Sequence, residues 1–474
     1  MTSSTLFKKT LLATALFSTS AMAFALPAVV TNGNNDGDGS LRAAIQSGAN
    51  EIVVATDHQI MITETLDYDG MKALAIYGKG QTVKALGDFT LLTASQGASL
   101  KINGLNFSGP GGFDIENQSS DLTMAGKGIF IDVRDDQAGK VKLDLTNVTV
   151  AGVANHGIHI SDCNLADACG GGGGGAGEGS NASIKVTFNN VTISDAGNGK
   201  FDADGLRVDE RGNGNITFIA YDSLFTGVGA DGVELDEGQN GSVKTVVTNS
   251  AFNSNGGYCD PDILETELES FLAGEPDENE FDESDAVTET DIPGNVVGTL
   301  DDGCFEREVD LYDSGFVEAY EYGIDVDDGF DIDEAGNGSI IAKVMSSEIL
   351  DNLDEGGDFD EEDNGDIRLV AIDSQARGNS DDGFKNSESG RGNVKGLFYH
   401  VESIDNGGKG IVLEEEDNGN VTVVVNDTLT ENNDDSDKTG LEVVQEDKGQ
   451  GTLTVRNSSI VDGIDAEGVT VIEE

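Results

Sequence analysis

A glycine that returns every 27 residues constrains this chain more than any other feature. Gly205 and Gly232 stand 27 apart, and Gly329, Gly356, Gly383 and Gly410 follow one another at the same interval. Around each the order is glycine, apolar, any, apolar, acid, acid, two spacers, often an Asn-Gly pair, then an alternating apolar run. Asp328-Gly-Phe-Asp-Ile-Asp-Glu-Ala-Gly-Asn-Gly338 is the clearest copy, and looser ones begin at Gly128, Gly157, Gly440 and Gly468. A unit this short cannot bury its own apolar face, so a fixed period implies stacked units sharing one core. Each repeat divides into three short strands: the glycine-led one, a second such as Ile216-Thr-Phe-Ile-Ala, and a third after a polar-Ser corner such as Asp222-Ser-Leu-Phe. Period-two alternation marks most of them as strands with one face inside. The reading is an all-β chain, a right-handed parallel β-helix with about 27 residues per rung. A hexapeptide period, expected of a left-handed coil, is absent, and so is the Gly-Gly-x-Gly-x-Asp nonapeptide of calcium rolls.

Residues 1–25 read as a signal peptide, with Lys8 and Lys9 ahead of an apolar run over 10–24 and small residues at Ala21, Ala23 and Ala25. No later stretch is long and apolar enough for a membrane span. The expectation is a protein secreted or held at the cell surface, with a periplasmic location also open. Residues 26–474 then form a single β-helix domain with insertions at about 163–181 and 257–325. The second follows from the spacing of Gly232 and Gly329, which is one 27-residue period plus about 70 more residues. Within it, residues 263–272 suit a short helix. Four cysteines in an exported chain imply two disulfides, and the local pairing is Cys163 with Cys169 and Cys259 with Cys304. At the start of the coil, Asp38 or Ser40 can cap a helix running to about Ser47, burying Leu41, Ala44 and Ile45. Such a helix would cover the first rung, whose strand edges are otherwise open.

The stretch Gly39-Ser-Leu-Arg-Ala-Ala-Ile45, with Ile76-Tyr-Gly-Lys-Gly80 downstream, resembles secreted and surface right-handed parallel β-helix proteins related to polymorphic outer-membrane proteins. The resemblance covers roughly residues 28–110 by motif. It implies the β-helix fold and export, and says little about activity. The cysteine that often opens the family's motif is Gly39 here, so no disulfide carries over.

Acidic residues number 89 against 27 basic ones, a formal net charge of -62. A polyanion of this kind is a poor partner for nucleic acid or anionic lipid, both of which need a basic face. It suits divalent cations. In a parallel coil, residues one period apart stack at about 4.8 Å. The first acid of each repeat therefore builds one column, Asp209, Asp236, Asp333, Asp360 and Glu414, with Ser387 interrupting. The second acid builds another, Glu210, Glu237, Glu334, Glu361, Glu388 and Glu415. At that spacing two unit charges repel by about 0.9 kcal/mol in water and about 3.5 kcal/mol at an effective dielectric of 20. Calcium, which takes six to eight oxygens, is the cation best suited to bridge them, and the ten column acids apart from Glu388 are its expected ligands. The alternative is a solvated acidic face. Columns of Asn (Asn213, Asn240, Asn337, Asn364, Asn418) and Ser (Ser223, Ser250, Ser347, Ser374, Ser458) read as turn and corner residues.

Two functions compete. One is a calcium-responsive structural or adhesive component of a cell surface or extracellular matrix, able to self-associate or to bind matrix partners. The other is a carbohydrate-active enzyme, such as a polysaccharide lyase, with Arg207 or Lys385 at the outward position of the first strand as its base. Glu234, Asp331, Asp358 and Glu442 share that outward column, which would repel a polyanionic substrate. His156 and His159, flanking Gly157, read as surface polar residues.

Overall fold

The computed structural model describes residues 26–163, 179–271, 278–288, 290–293, 303–312, 314–433 and 438–474. The expected signal peptide, Cys169 and the glycine run 170–175 lie outside them. The fold is the right-handed parallel β-helix. Its strands pair in parallel, and among the described residues they collect into one sheet of 22 strands and one of 12. A regular rung supplies Leu206–Glu210 to the smaller sheet, and Ile216–Tyr221 and Leu224–Thr226 to the larger.

The repeat glycine exists because successive rungs touch there. A Cβ at Gly205 would lie 2.4 Å from the carbonyl oxygen of Gly232, and one at Gly232 would lie 2.4 Å from that of Gly329. Apolar residues on either side of the outward position point into a single core, in which Val208, Leu235, Ile332 and Phe359 stack in register. Phe225, Phe252 and Phe330 stack face to face at 4.9 and 5.1 Å between ring centroids. A second ladder runs through the interior. Asn255, Asn352, Asn379, Asn406 and Asn433 are buried, and each Nδ2 donates to the Oδ1 of the next at 2.8–3.0 Å. The Ser column turns its corner by a similar device, with the Ser223, Ser250 and Ser347 backbone N–H groups donating to the hydroxyl one rung on. Just before it, Asp222, Asn249, Asp373 and Asn457 adopt φ near +50°, a left-handed geometry that Asn and Asp tolerate better than other side chains.

The coil begins under helix α1 (Leu41–Gln46), with Ser40 as its N-cap accepting from the Ala43 N–H. Leu41, Ala44 and Ile45 are buried as expected, and so is Arg42. Its guanidinium is held by the carbonyls of Thr65 at 2.6 Å and Glu64 at 2.8 Å, which fixes the helix over the first rung.

The large insertion carries helix α2 (Pro261–Phe271) and a three-stranded antiparallel sheet of Glu278–Glu280, Phe305–Leu311 and Val317–Ile324. Cys259 and Cys304 are bonded as predicted, and they sit in a small core with Tyr258, Leu264, Phe305 and Ile115. Closing a 45-residue separation contributes about 2–4 kcal/mol to a structure of this kind. Cys304→Ser is expected to expose residues 257–325 to limited proteolysis while the strand signal of the coil persists. Loss of the coil signal in that variant would show that the insertion holds the rungs together.

Candidate cation-binding cleft

The structure puts both predicted acidic columns in register and gives them different surroundings. Glu210, Glu237, Glu334, Glu361, Glu388 and Glu415 follow one another as direct strand partners and are all buried. The Gly241 N–H donates to Glu237 Oε1 at 2.9 Å. Successive carboxyls stand within hydrogen-bonding reach of each other. Burial, reinforced by the neighbouring acids, pushes Glu210 up to about 10, Glu334 and Glu361 to about 9, and Glu237 and Glu388 to about 8. At neutral pH this column therefore holds protons, and a protonated carboxyl can donate to the next. At its far end Gln445 takes the glutamate position and its Nε2 donates to Glu415.

The Asp column is engaged differently. Asp209 faces His159 and Arg207, with Oδ2 at 2.6 Å from His159 Nε2 and Oδ1 at 3.0 Å from Arg207 Nε. Asp236 accepts from Arg207 at 2.9 Å and from Arg211. Burial raises Asp333 and Glu414 to about 7, and Asp360 well above the carboxylate range, each pushed further by adjacent acids. Only Asp236 and Asp333 of the ten expected ligands join a group of three carboxylates whose oxygens lie within 4.8 Å of one another among the described residues.

Those groups form around two other columns. One is the outward position of the first strand, where His159, Arg207, Glu234, Asp331 and Asp358 are register partners. The other is the residue just before each repeat glycine: Asp204, Asp231, Asp328, Glu355 and Asp382, all buried. Because the chain turns onto the strand at the glycine, the two columns face one another across the turn. Beneath the return of the insertion they line a cleft of about 450 Å³, walled by Phe201, Arg207, Asp231, Glu234, Asp327 and Asp331. Oxygens of Asp231, Glu234 and Asp331 meet there within 4.8 Å, and so do those of Glu234, Asp236 and Asp333. Burial is the largest cause, and mutual repulsion the next, that lifts Asp231, Asp327 and Asp331 well above the carboxylate range. Glu234 is lifted too, against the pull of Arg207.

Arg207 is the counter-ion at the head of the cleft. Its guanidinium reaches Asp202 at 2.9 Å, Asp204 at 3.5 Å, and also Glu234, Asp209 and Asp236. Lys385 plays the same part lower down, at 2.8 Å from Asp358 and 3.1 Å from Glu355. Burial works against its charge, but Asp358 and Glu355 outweigh it and hold the ammonium well above its ordinary value. Both residues expected to act as a lyase base are thus held as cations.

The histidines are not surface residues. His156 and His159 are buried, and the Lys127 side chain reaches His159 from the preceding rung. Lys127 Nζ contacts His159 Nδ1 and sits 4.9 Å from the centre of the Phe130 ring. His156 Nδ1 accepts from the Asp204 N–H at 2.9 Å. Burial lowers His159 to about 4 and Lys127 to about 7. With His159 neutral and Nδ1 accepting from the lysine, Nε2–H donates to Asp209.

No protein-family model and no curated protein sequence matches this chain. Solved structures do. A protein of Geobacillus virus E2, ORF18, aligns over 94% of this chain with 11% identity and a TM-score of 0.36, and this chain spans 60% of its length. The periplasmic alginate epimerase AlgG aligns over 94% of this chain and 84% of its own, at 10% identity and a TM-score of 0.35. PfbA, a surface adhesin of Streptococcus pneumoniae, aligns over 94% and 93% respectively, at 10% identity and a TM-score of 0.32.

The column before the glycine was legible without the structure, since an acid precedes Gly205, Gly232, Gly329, Gly356 and Gly383. What no spacing reveals is that the turn folds it against the outward position of the strand.

Proposed function

We propose that this is an exported structural or adhesive protein of a cell surface or extracellular matrix, and that divalent cations, calcium above all, regulate its stability through the cleft beneath the insertion. One observation carries the reading: Asp231, Glu234 and Asp331 converge from two adjacent rungs onto one point. Hard cations take such oxygen donors, and calcium accepts the irregular geometry and added waters that an open cleft supplies. The two rungs are those between which the chain leaves for the insertion and returns. A cation bridging them would fasten the base of the insertion to the coil. The likeness of the opening motif to surface β-helix proteins supports export.

Calcium titration by calorimetry and thermal melting, at low salt and against a chelator, tests this. Binding should raise stability by about 2.7 kcal/mol at a hundredfold excess over Kd, and Glu234→Gln should remove most of the gain. Identical melting with calcium and with chelator would sink the proposal.

The carbohydrate-active reading rests on a separate observation, the buried Lys127, His159 and Asp209 chain beside the cleft. A lysine with its pKa near neutrality is suited to proton transfer. New reducing or unsaturated ends on a polysaccharide panel, lost in His159→Ala, would favour it over the structural reading.

A further inference from the structure

At the wall of the cleft formed by Asp328, Asp328, Glu355 and Asp358 bring carboxylate oxygens within 4.8 Å of one another, and all three residues are at least nine-tenths buried. None of them belongs to the columns singled out by the repeat's paired acids. Two of their oxygens, Asp328 Oδ1 and Asp358 Oδ1, are sealed from solvent and have no hydrogen-bond partner. A carboxylate oxygen buried without a partner is costly, so these two oxygens are open to a ligand that satisfies them. The opposite side of the cluster is already occupied. Lys385 Nζ takes Glu355 Oε1 at 3.1 Å and Asp358 Oδ2 at 2.8 Å, leaving the Oδ1 side of Asp358 free. Three carboxylates and one ammonium leave two negative charges.

We infer that Asp328, Glu355 and Asp358 form a second hard-cation site, adjoining the cleft and sharing only its wall residue Asp328, in which Lys385 sets the charge of the cage to match a divalent ion. The donors are all oxygen, which excludes the softer ions that prefer nitrogen and sulfur. An ammonium fixed on one flank closes that side of the cage, and the bound ion completes its shell from the Asp328 side. The site would link the rung starting at Gly329 to that starting at Gly356, one step further along the coil than the cleft. The two sites also communicate through the backbone, since the Asp328 N–H donates to Asp231 Oδ1 at 2.6 Å.

Calorimetry with calcium alone as titrant, on the full chain and on single variants, tests the inference and separates it from the cleft. Two binding events are expected for the parent protein. Asp328→Asn should abolish one event and Glu234→Gln the other. A single event that survives Glu234→Gln but not Asp328→Asn supports this site and overturns the cleft reading. A pattern unchanged by Asp328→Asn, or no binding at all, overturns the inference. Lys385→Met retains every carboxylate and is titrated once its strand signal matches that of the parent. Removing the adjacent positive charge should tighten this event by on the order of tenfold, and an unchanged affinity would contradict the role given to Lys385.

Discussion

With chelator present, the melting temperature of this protein should be highest near pH 5 and fall steeply from there as the pH rises to about 9. The cause is the buried glutamate column. Glu210, Glu237, Glu334, Glu361 and Glu388 carry pKa values of about 8 to 10 in the folded coil, against the ordinary glutamate value of 4.5. A raised folded pKa means that the native state binds more protons than the unfolded chain. Their stabilising effect is fully present below about pH 4.5 and is lost progressively as the pH climbs through the folded values. Each such group contributes a slope of about 1.4 kcal/mol per pH unit within that window. Even if alternate members alone keep their protons, three groups give about 4 kcal/mol per unit, a large fraction of a domain's total stability. Glu334→Gln and Glu361→Gln provide the internal check. An amide needs no proton to donate to its neighbour, as Gln445 already demonstrates at the end of the column. The variants should melt like the parent near pH 5 and above it at pH 9. A melting temperature flat from pH 5 to 9 would show that the column does not hold protons.

Arg207→Met should destabilise the coil by about 3–5 kcal/mol at pH 7, the usual consequence of stripping one partner from a buried ionic cluster. The Arg207 side chain is 14% exposed, and its partners Asp204, Asp209 and Asp236 are at most 2% exposed. Burial alone would lower the pKa of the guanidinium, but Glu234, Asp202, Asp209 and Asp236 together hold it well above its ordinary value. The same partners become uncompensated charges when it is removed. Methionine keeps much of the side chain's packing, so the loss reports charge. Adding Glu234→Gln to Arg207→Met should recover part of the stability. Arg377→Met makes the contrast, because its pair with Asp405 is exposed on both sides, and surface pairs contribute about 0–1 kcal/mol. Equal melting temperatures for the two arginine variants would show that the cleft does not depend on its counter-ion.

The repeat made the fold legible because a β-helix rung is a local object. Gly329, Phe330, Ile332 and Glu334 each recur at their own offset, and stacking them in register needs only the spacing. The internal Asn ladder obeys the same spacing at Asn352, Asn379, Asn406 and Asn433, so the period alone places it. Arg42 and the two histidines were not readable. Their partners arrive from other turns, the carbonyls of Glu64 and Thr65 for Arg42 and Lys127 for His159, which no period announces.

For the candidate site the division falls elsewhere. The chain by itself determined that acids would stack in columns, since a 27-residue period and a parallel pleat leave them no other arrangement. Only the tertiary structure decided what each column would do. The glutamates after Asp209, Asp236 and Asp333 are buried within the strands and keep protons, while the acids before each glycine meet the outward residues of the strand and form oxygen cages. Sequence spacing fixes which residues are neighbours along the stack. The fate of a charge depends on desolvation and on its nearest counter-ion, and both are set by how the turn folds across the strand.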